Sequence, residues 1–168
     1  NNSVSDPEGN ATSLPSFNIT VVNVNDPPTI SGIPTFTVDE DTPYSFTPIA
    51  SDPDPTNDTL IFSIAGKPSW ASFNPLTGTL SGTPTNEDVG THADITITVK
   101  DNFGLEASLF TFDITVINVN DPPTISGFPL TKAREGEEYR FTPTAEDVDA
   151  GDAITFSIQN KPVWALFN

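Results

Sequence analysis

Residues 23–32 and 118–127 are the same ten residues, Asn-Val-Asn-Asp-Pro-Pro-Thr-Ile-Ser-Gly, and the second copy begins 95 residues after the first (118 against 23). An identity of that length, carrying two prolines and closing on a glycine, marks a joint that recurs between units of one kind. The 168 residues then divide into 1–26, the end of one unit; 27–121, a complete unit; and 122–168, the first half of another. A unit of this size buries roughly 60–70% of its unfolded surface, enough for one modest core.

The offset holds on both sides of the joints. Val4, Asp6 and Gly9 answer Val99, Asp101 and Gly104, and Phe17, Ile19 and Val21 answer Phe112, Ile114 and Val116, so the chain is predicted to open with the last strand of a unit. Tyr139 and Phe141 answer Tyr44 and Phe46. Beyond Asp149 the offset falls to 94, and residues 161–168 then match 67–74.

Within the complete unit, apolar residues alternate with polar ones, the period of a half-buried strand. A first strand is predicted at 35–38, and a second carries Tyr44, Phe46 and Pro48. A third carries Leu60, Phe62 and Ile64. Later ones carry Ile95, Ile97 and Val99, then Phe110, Phe112, Ile114 and Val116. Pro, Gly, Asn and Asp separate these stripes, and no stretch sustains a 3.6-residue apolar period. The reading is all-β, with tandem antiparallel β-sandwiches of about seven strands, one complete repeat flanked by two partial ones. Seventeen prolines and high charge are also marks of disorder, but 12 Phe and two Trp in regular stripes supply the core that disordered chains lack.

Twenty-three acidic residues against six basic ones leave a formal net charge of −17. Nucleic acid and anionic membrane surfaces are excluded as partners, because phosphate binding needs clustered Lys and Arg. No apolar run reaches the roughly 20 residues of a membrane-spanning helix, so no membrane insertion of this segment is expected. The absence of Cys removes thiol nucleophiles and disulfides, and the single histidine, His92, precedes a strand where a turn or surface role is expected. No residue is assigned a catalytic role. Sequons at Asn1, Asn10, Asn18 and Asn57 are read as incidental, Asn18 falling on a sheet face.

Residues 67–84 read Lys-Pro-Ser-Trp-Ala-Ser-Phe-Asn-Pro-Leu-Thr-Gly-Thr-Leu-Ser-Gly-Thr-Pro. This resembles the signature of dystroglycan-type cadherin-like domains and of immunoglobulin-like repeats in bacterial surface proteins. That signature is Pro-x-Trp-x-x-Phe-Asp followed by Thr-Gly-x-Leu-x-Gly-x-Pro. Asn74 stands where the pattern has Asp, and every other position is met. The resemblance implies cadherin- or Ig-like sandwiches outside the cell. Independently of it, Trp70 and Phe73 can plug a sandwich core from a Pro-bracketed loop, and Trp164 is expected to do the same in its own repeat.

Acidic residues recur at equivalent positions: Glu40 with Glu135, Asp52 with Asp147, Asp54 with Asp149, Asp101 with Asp6, and Asp121 with Asp26. In a sandwich, Asp52, Asp54 and Asp101 fall toward one end and Glu40 and Asp121 toward the other. End-to-end stacking then brings four or five carboxylates together, a cluster that repels itself without a cation. Ca²⁺ takes 6–8 oxygen ligands of this kind. The layout resembles the cadherin interdomain calcium site, with linker Asp-x-Asn-Asp-Asn. Here Asn118 takes its first position and Pro122 its last, leaving Asn120 and Asp121. The family's Leu-Asp-Arg-Glu element is absent, Asn86-Glu87-Asp88 being the nearest substitute. The other reading of the same acids is that they cap turns and keep sheet edges soluble.

The expected function is an extracellular structural and adhesive spacer with calcium-stiffened joints. Half a sandwich exposes its core face, so the partial repeats are expected to be completed by neighbouring repeats or by copies of the chain donating strands. A subunit of an extracellular filament is one alternative. A non-catalytic carbohydrate-binding module of a secreted polysaccharide-degrading protein, with surface glycans as partners, is the other.

Overall fold

A computed structural model of the chain describes residues 3–54 and 59–168. The sequons at Asn1 and Asn57 lie outside the described residues. In the complete repeat the strands are β3 (Thr29–Ser31), β4 (Thr37–Asp39), β5 (Tyr44–Phe46), β6 (Ile49–Ser51), β7 (Ile61–Ala65), β8 (Ala71–Phe73), β9 (Leu80–Gly82), β10 (Gly90–Lys100), β11 (Glu106–Ser108) and β12 (Phe112–Ile117). A 3₁₀ turn, Asn86–Asp88, lies between β9 and β10. Ahead of them, β1 (Ser3–Ser5) and β2 (Ala11–Ser13) form a hairpin; behind them, β13 (Thr124–Ser126) pairs with β14 (Thr144–Glu146).

The long strand β10 organises the larger sheet. Its first half pairs with β12, and its second half is flanked by β7 and β11. β4 adds to β12 in parallel, Val116 opposite Val38, the one departure among the described residues from the antiparallel pairing expected. The other layer is β5–β9–β8, with the β3–β6 ladder beside it. Between the layers lie Tyr44, Phe46, Ala71 and Leu80 from one side, and Val38, Phe62, Ile95, Ile97, Val99, Phe112, Ile114 and Val116 from the other. These are the alternating residues of the sequence, and burying each large one contributes about 1.5–3 kcal/mol.

β10 keeps its apolar face inward through a bulge. His92 pairs with Ile114 and Ile95 with Phe112, so β10 advances three residues while β12 advances two, one residue more than a regular ladder allows. Asp94 takes up the extra residue at φ 60°, and its amide donates to Asp113 Oδ1 at 3.0 Å.

Several expectations are corrected. The repeated decapeptide is more than a joint, because its Thr-Ile-Ser forms the first strand of each repeat, β3 and β13, ahead of the strand expected at 35–38. Phe110 lies outside β12 and is exposed, since Leu109 takes the buried position instead. Residues 14–28 form no strand, so Asn18 lies on no sheet face. In the complete repeat the equivalent β12 is held by β10 and β4, and residues 17–22 have no neighbouring strand among the described residues. Trp70 packs against the core and meets Tyr44 edge-on at 5.7 Å, whereas Trp164 is 64% exposed with Tyr139 at 6.2 Å. Among the described residues, the short β13–β14 pair is the only ladder of this repeat, and no second layer covers Trp164.

Candidate metal site at the joints between repeats

At the joint before the complete repeat, the Asp54 amide donates to Asp52 Oδ1 at 2.9 Å, folding the Asp-x-Asp loop on itself. Both oxygens of Asp54 then receive the linker: Oδ2 accepts from the Asp26 amide at 2.8 Å and Oδ1 from Asn23 Nδ2 at 2.7 Å. Asn25 Nδ2 donates to Asp101 Oδ2 at 2.9 Å. Asp101 is 3% exposed, and its Oδ1 accepts from the amides of Phe103, Gly104 and Leu105 at 2.9, 2.6 and 2.9 Å. Desolvation works to raise its pKa, but the bonds from Asn25 and these three amides outweigh it and hold the carboxyl below the usual range.

The joint after the complete repeat is built alike. The Asp149 amide donates to Asp147 Oδ1 at 3.0 Å and the Asp121 amide to Asp149 Oδ2 at 2.6 Å. Asn86, from the 3₁₀ turn, donates to Asp149 Oδ1 at 3.3 Å and to Asn118 Oδ1 at 3.4 Å. Glu40, at the end of β4, reaches across, and its Oε1 accepts from the Val119 amide at 2.6 Å. Glu40 is 2% exposed and Asp149 6%. Asp121 has its pKa raised, first by desolvation and then by the negative charges of Asp149, Glu40, Asp41 and Asp147.

Among the described residues no ion pair offsets this charge. The ion pairs among the described residues are Lys100–Glu106, Arg134–Glu137 and Arg140–Glu138, and none involves a residue of the joints. Four buried side-chain atoms among the described residues lack a hydrogen-bond partner, and three are joint oxygens: Glu40 Oε2, Asn25 Oδ1 and Asp52 Oδ2. The fourth is Trp70 Nε1. Buried acceptors left without donors are costly. Oxygens of carboxylate and amide type fit Ca²⁺, which takes 6–8 of them at 2.3–2.6 Å.

Of the residues singled out in the sequence, Asp26, Asp52, Asp54 and Asp101 come together at the first joint, and Glu40, Asp121, Asp147 and Asp149 at the second. Asn120 is exposed beside the latter, donating to the Asp121 carbonyl at 3.1 Å. Asp6 is elsewhere, closing its own hairpin by accepting from the Asn10 amide and side chain at 2.7 and 2.8 Å. Glu135 is exposed beside a shallow depression lined by Tyr139 and Trp164. His92 shares a hydrogen bond with the Asp88 carbonyl at 2.9 Å and meets Trp70 edge-on, a structural role. Sequence reasoning missed Asn23, Asn25 and Asp41, and it named Asn86 only as part of the nearest substitute for an absent element. Recurrence of Asn23 and Asn25 in the decapeptide was the available signal.

No helix among the described residues is long and apolar enough to cross a membrane. A structure described as a putative α-galactosidase from Bacteroides fragilis is 22% identical over 58% of this chain and 19% of that one, with a TM-score of 0.40. A variant of the SrpA adhesin from Streptococcus sanguinis is 19% identical over 65% of this chain and 69% of that one, also with a TM-score of 0.40. The chain thus corresponds to about a fifth of the galactosidase. No curated protein matches it. Residues 27–117, more than half of the chain, match the family described as Putative Ig domain, with limits that follow the complete repeat from the proline after Asp26 to the end of β12. The chain belongs to the Putative Ig domain family.

Proposed function

We propose that the chain is an extracellular structural and adhesive module in which calcium bridges consecutive Ig-like repeats at their joints. The observation that carries this reading is Glu40 Oε2, an acceptor on a side chain 98% buried, without a donor, beside a cluster of like charges. Glu40 belongs to the complete repeat, Asp121 to the linker and Asp149 to the following repeat, so an ion held by all three ties two repeats together. The work assigned to the chain is mechanical and adhesive, and no side chain is given a catalytic part.

The test is thermal melting in calcium and in chelator. Calcium at 100 times its Kd adds about 2.7 kcal/mol to the folded state. A rise in Tm that is lost in Glu40→Gln and in Asp52→Ala/Asp54→Ala supports the reading. No shift at millimolar calcium overturns it.

A second reading, completion of the partial repeats by strands of a neighbouring repeat or of another copy, draws on a contrast in exposure. Phe17, Ile19 and Val21 are 67, 81 and 90% exposed, while their equivalents Phe112, Ile114 and Val116 are 4, 0 and 2% exposed. By the register of β12 against β4, Val21 would lie opposite Ala133 of the completing copy. Light scattering that finds a strict monomer at high concentration rules out exchange between copies.

A further inference from the structure

We propose that the β1–β2 hairpin of one copy of the chain adds to residues 155–157 of a second copy. β1 pairs antiparallel with them, Ser3 opposite Ser157, Val4 opposite Phe156 and Ser5 opposite Thr155. This rests on completion of the partial repeats by strands, commits that completion to a second copy, and adds a ladder separate from that of Val21 with Ala133.

The register is that of the complete repeat. There the second half of β10 has a neighbour on each side: Thr98, Val99 and Lys100 lie opposite Ser63, Phe62 and Ile61 of β7, and opposite Ser108, Ala107 and Glu106 of β11. The β10–β11 half of this arrangement is repeated residue for residue 95 positions earlier, where Ser3, Val4 and Ser5 lie opposite Ser13, Thr12 and Ala11. The turn recurs as well, since the Asp6 amide donates to the Asn10 carbonyl at 2.9 Å as the Asp101 amide does to that of Leu105 at 3.0 Å. Among the described residues β1 has no neighbour on its other edge, where β10 has β7. An open strand edge is a template for pairing with another chain.

The acceptor is already shaped to receive it. β13 and β14 keep the register of β3 and β6, and Tyr139 donates to the Leu130 carbonyl and meets Trp164 edge-on as Tyr44 does with Thr35 and Trp70. Residues 155–157, which answer Ile61, Phe62 and Ser63, nevertheless form no strand. Val4 and Phe156 are both exposed, whereas Val99 and Phe62 are buried in the core. Strand addition of this kind takes its affinity from main-chain hydrogen bonds and its specificity from the alternate side chains, here Val4 and Phe156.

The addition also completes a joint. Asn25 donates to Asp101 at the first joint, whereas at the second Asn120 donates to the Asp121 carbonyl, and Asp6, which answers Asp101, accepts from Asn10. Asp6 follows β1 directly, so the hairpin of the second copy carries it to Asn120 of the first. Donor and acceptor are different surfaces, so the contact is heterologous and copies add head to tail.

The experiment is sedimentation velocity on the 168-residue chain over a range of micromolar concentrations, with Val4→Asp to block the donor and Phe156→Asp to block the acceptor. Both residues are exposed and lie outside the complete repeat, so its core is untouched. The wild type is expected to grow with concentration into dimers and larger species, and each variant alone to stay monomeric. Their equimolar mixture is expected to stop at the dimer, because one variant keeps the donor and the other the acceptor. The chain has no Cys, so Ser3→Cys in the Phe156→Asp chain and Ser157→Cys in the Val4→Asp chain read the register by cross-linking on oxidation. Residues directly opposite across a ladder lie within disulfide reach. A dimer without the cross-link overturns the register. Variants that associate alone as the wild type does, or a mixture that stays monomeric, overturn the hairpin ladder; loss of association in Val21→Asp then leaves the strand opposite Ala133 standing. A wild type that stays monomeric throughout overturns exchange between copies altogether.

Discussion

The backbone amide of Asp121 donates to Oδ2 of Asp149 at 2.6 Å, and 95 residues earlier the amide of Asp26 donates to Oδ2 of Asp54 at 2.8 Å. The same bond between linker and following repeat thus recurs at both joints. It explains why Asp-x-Asp stands where it does: the first carboxylate folds the loop and the second receives the linker. The carboxylates crowd because backbone donors draw them in.

Asp149→Ala removes the acceptor of this bond and strands the Asp121 amide. A hydrogen bond to a charged group contributes about 1.5–3 kcal/mol. Amide hydrogen exchange at Asp121 in chelator is expected to speed up by roughly 10- to 100-fold, while exchange in β10 and β12 stays unchanged. Equal acceleration in those core strands would mean that the loop supports the whole domain rather than the joint.

On the proposal that calcium binds at the joints, the pH dependence of that binding follows from Asp121. Its carboxyl is raised above the ordinary aspartate value of about 3.9, so in the folded chain it binds its proton at a pH where an exposed aspartate is still ionised. A raised carboxyl makes the cation-free folded state less stable as pH rises through the window between the ordinary and the raised value, and acidification relieves it. Calcium requires the ionised form, so affinity is expected to fall as pH drops through the raised value, with proton release on binding. Calorimetry in buffers of different ionisation enthalpy measures that release, and Asp121→Asn should abolish it. Asp101 runs the other way: it is held below the usual range, so its contribution is full above about pH 3.9 and is lost only in stronger acid.

Leu80 in β9 is fully buried and Leu76, in the turn before it, is 71% exposed. Leu80→Ala is expected to cost about 2–5 kcal/mol in urea unfolding. Leu76→Ala should stay within about 0.5 kcal/mol. Similar costs for the two would contradict the placement of the core between β9 and β12.

The core was legible because alternation is a direct consequence of a strand having one buried face. Ile95, Ile97, Val99, Phe112, Ile114 and Val116 all lie inside as predicted. The bulge at Asp94 was not legible, since its signal is a backbone conformation that an aspartate does not advertise. β3 was overlooked because Thr-Ile-Ser is too short to show a period and sits inside what reads as a linker. At the joints, recurrence located the acids but could not separate those drawn in by backbone donors, such as Asp54 and Asp149, from those spent on local turns, such as Asp6. Asn86 was undervalued because its importance depends on the 3₁₀ turn that aims it at Asp149. Trp164 was misplaced because a match to Trp70 carries the residue type and leaves its surroundings open.

Two glycines separate backbone strain from packing. Gly104 adopts φ 99° in open space, and Gly78 adopts φ 71° where an added Cβ would lie 2.6 Å from Phe62 Cδ1 and 2.8 Å from Pro48 Cγ. Gly104→Ala is therefore expected to cost about 1–2 kcal/mol, the penalty of a left-handed conformation for a residue with a Cβ. Gly78→Ala adds overpacking of a core phenylalanine, about 1–3 kcal/mol more. The Thr-Gly of the signature thus acts as a packing element that lets the turn before β9 close over Phe62. Urea unfolding of the two variants measures the difference. Equal costs would show that Phe62 and Pro48 yield freely, and that Gly78 serves only the turn.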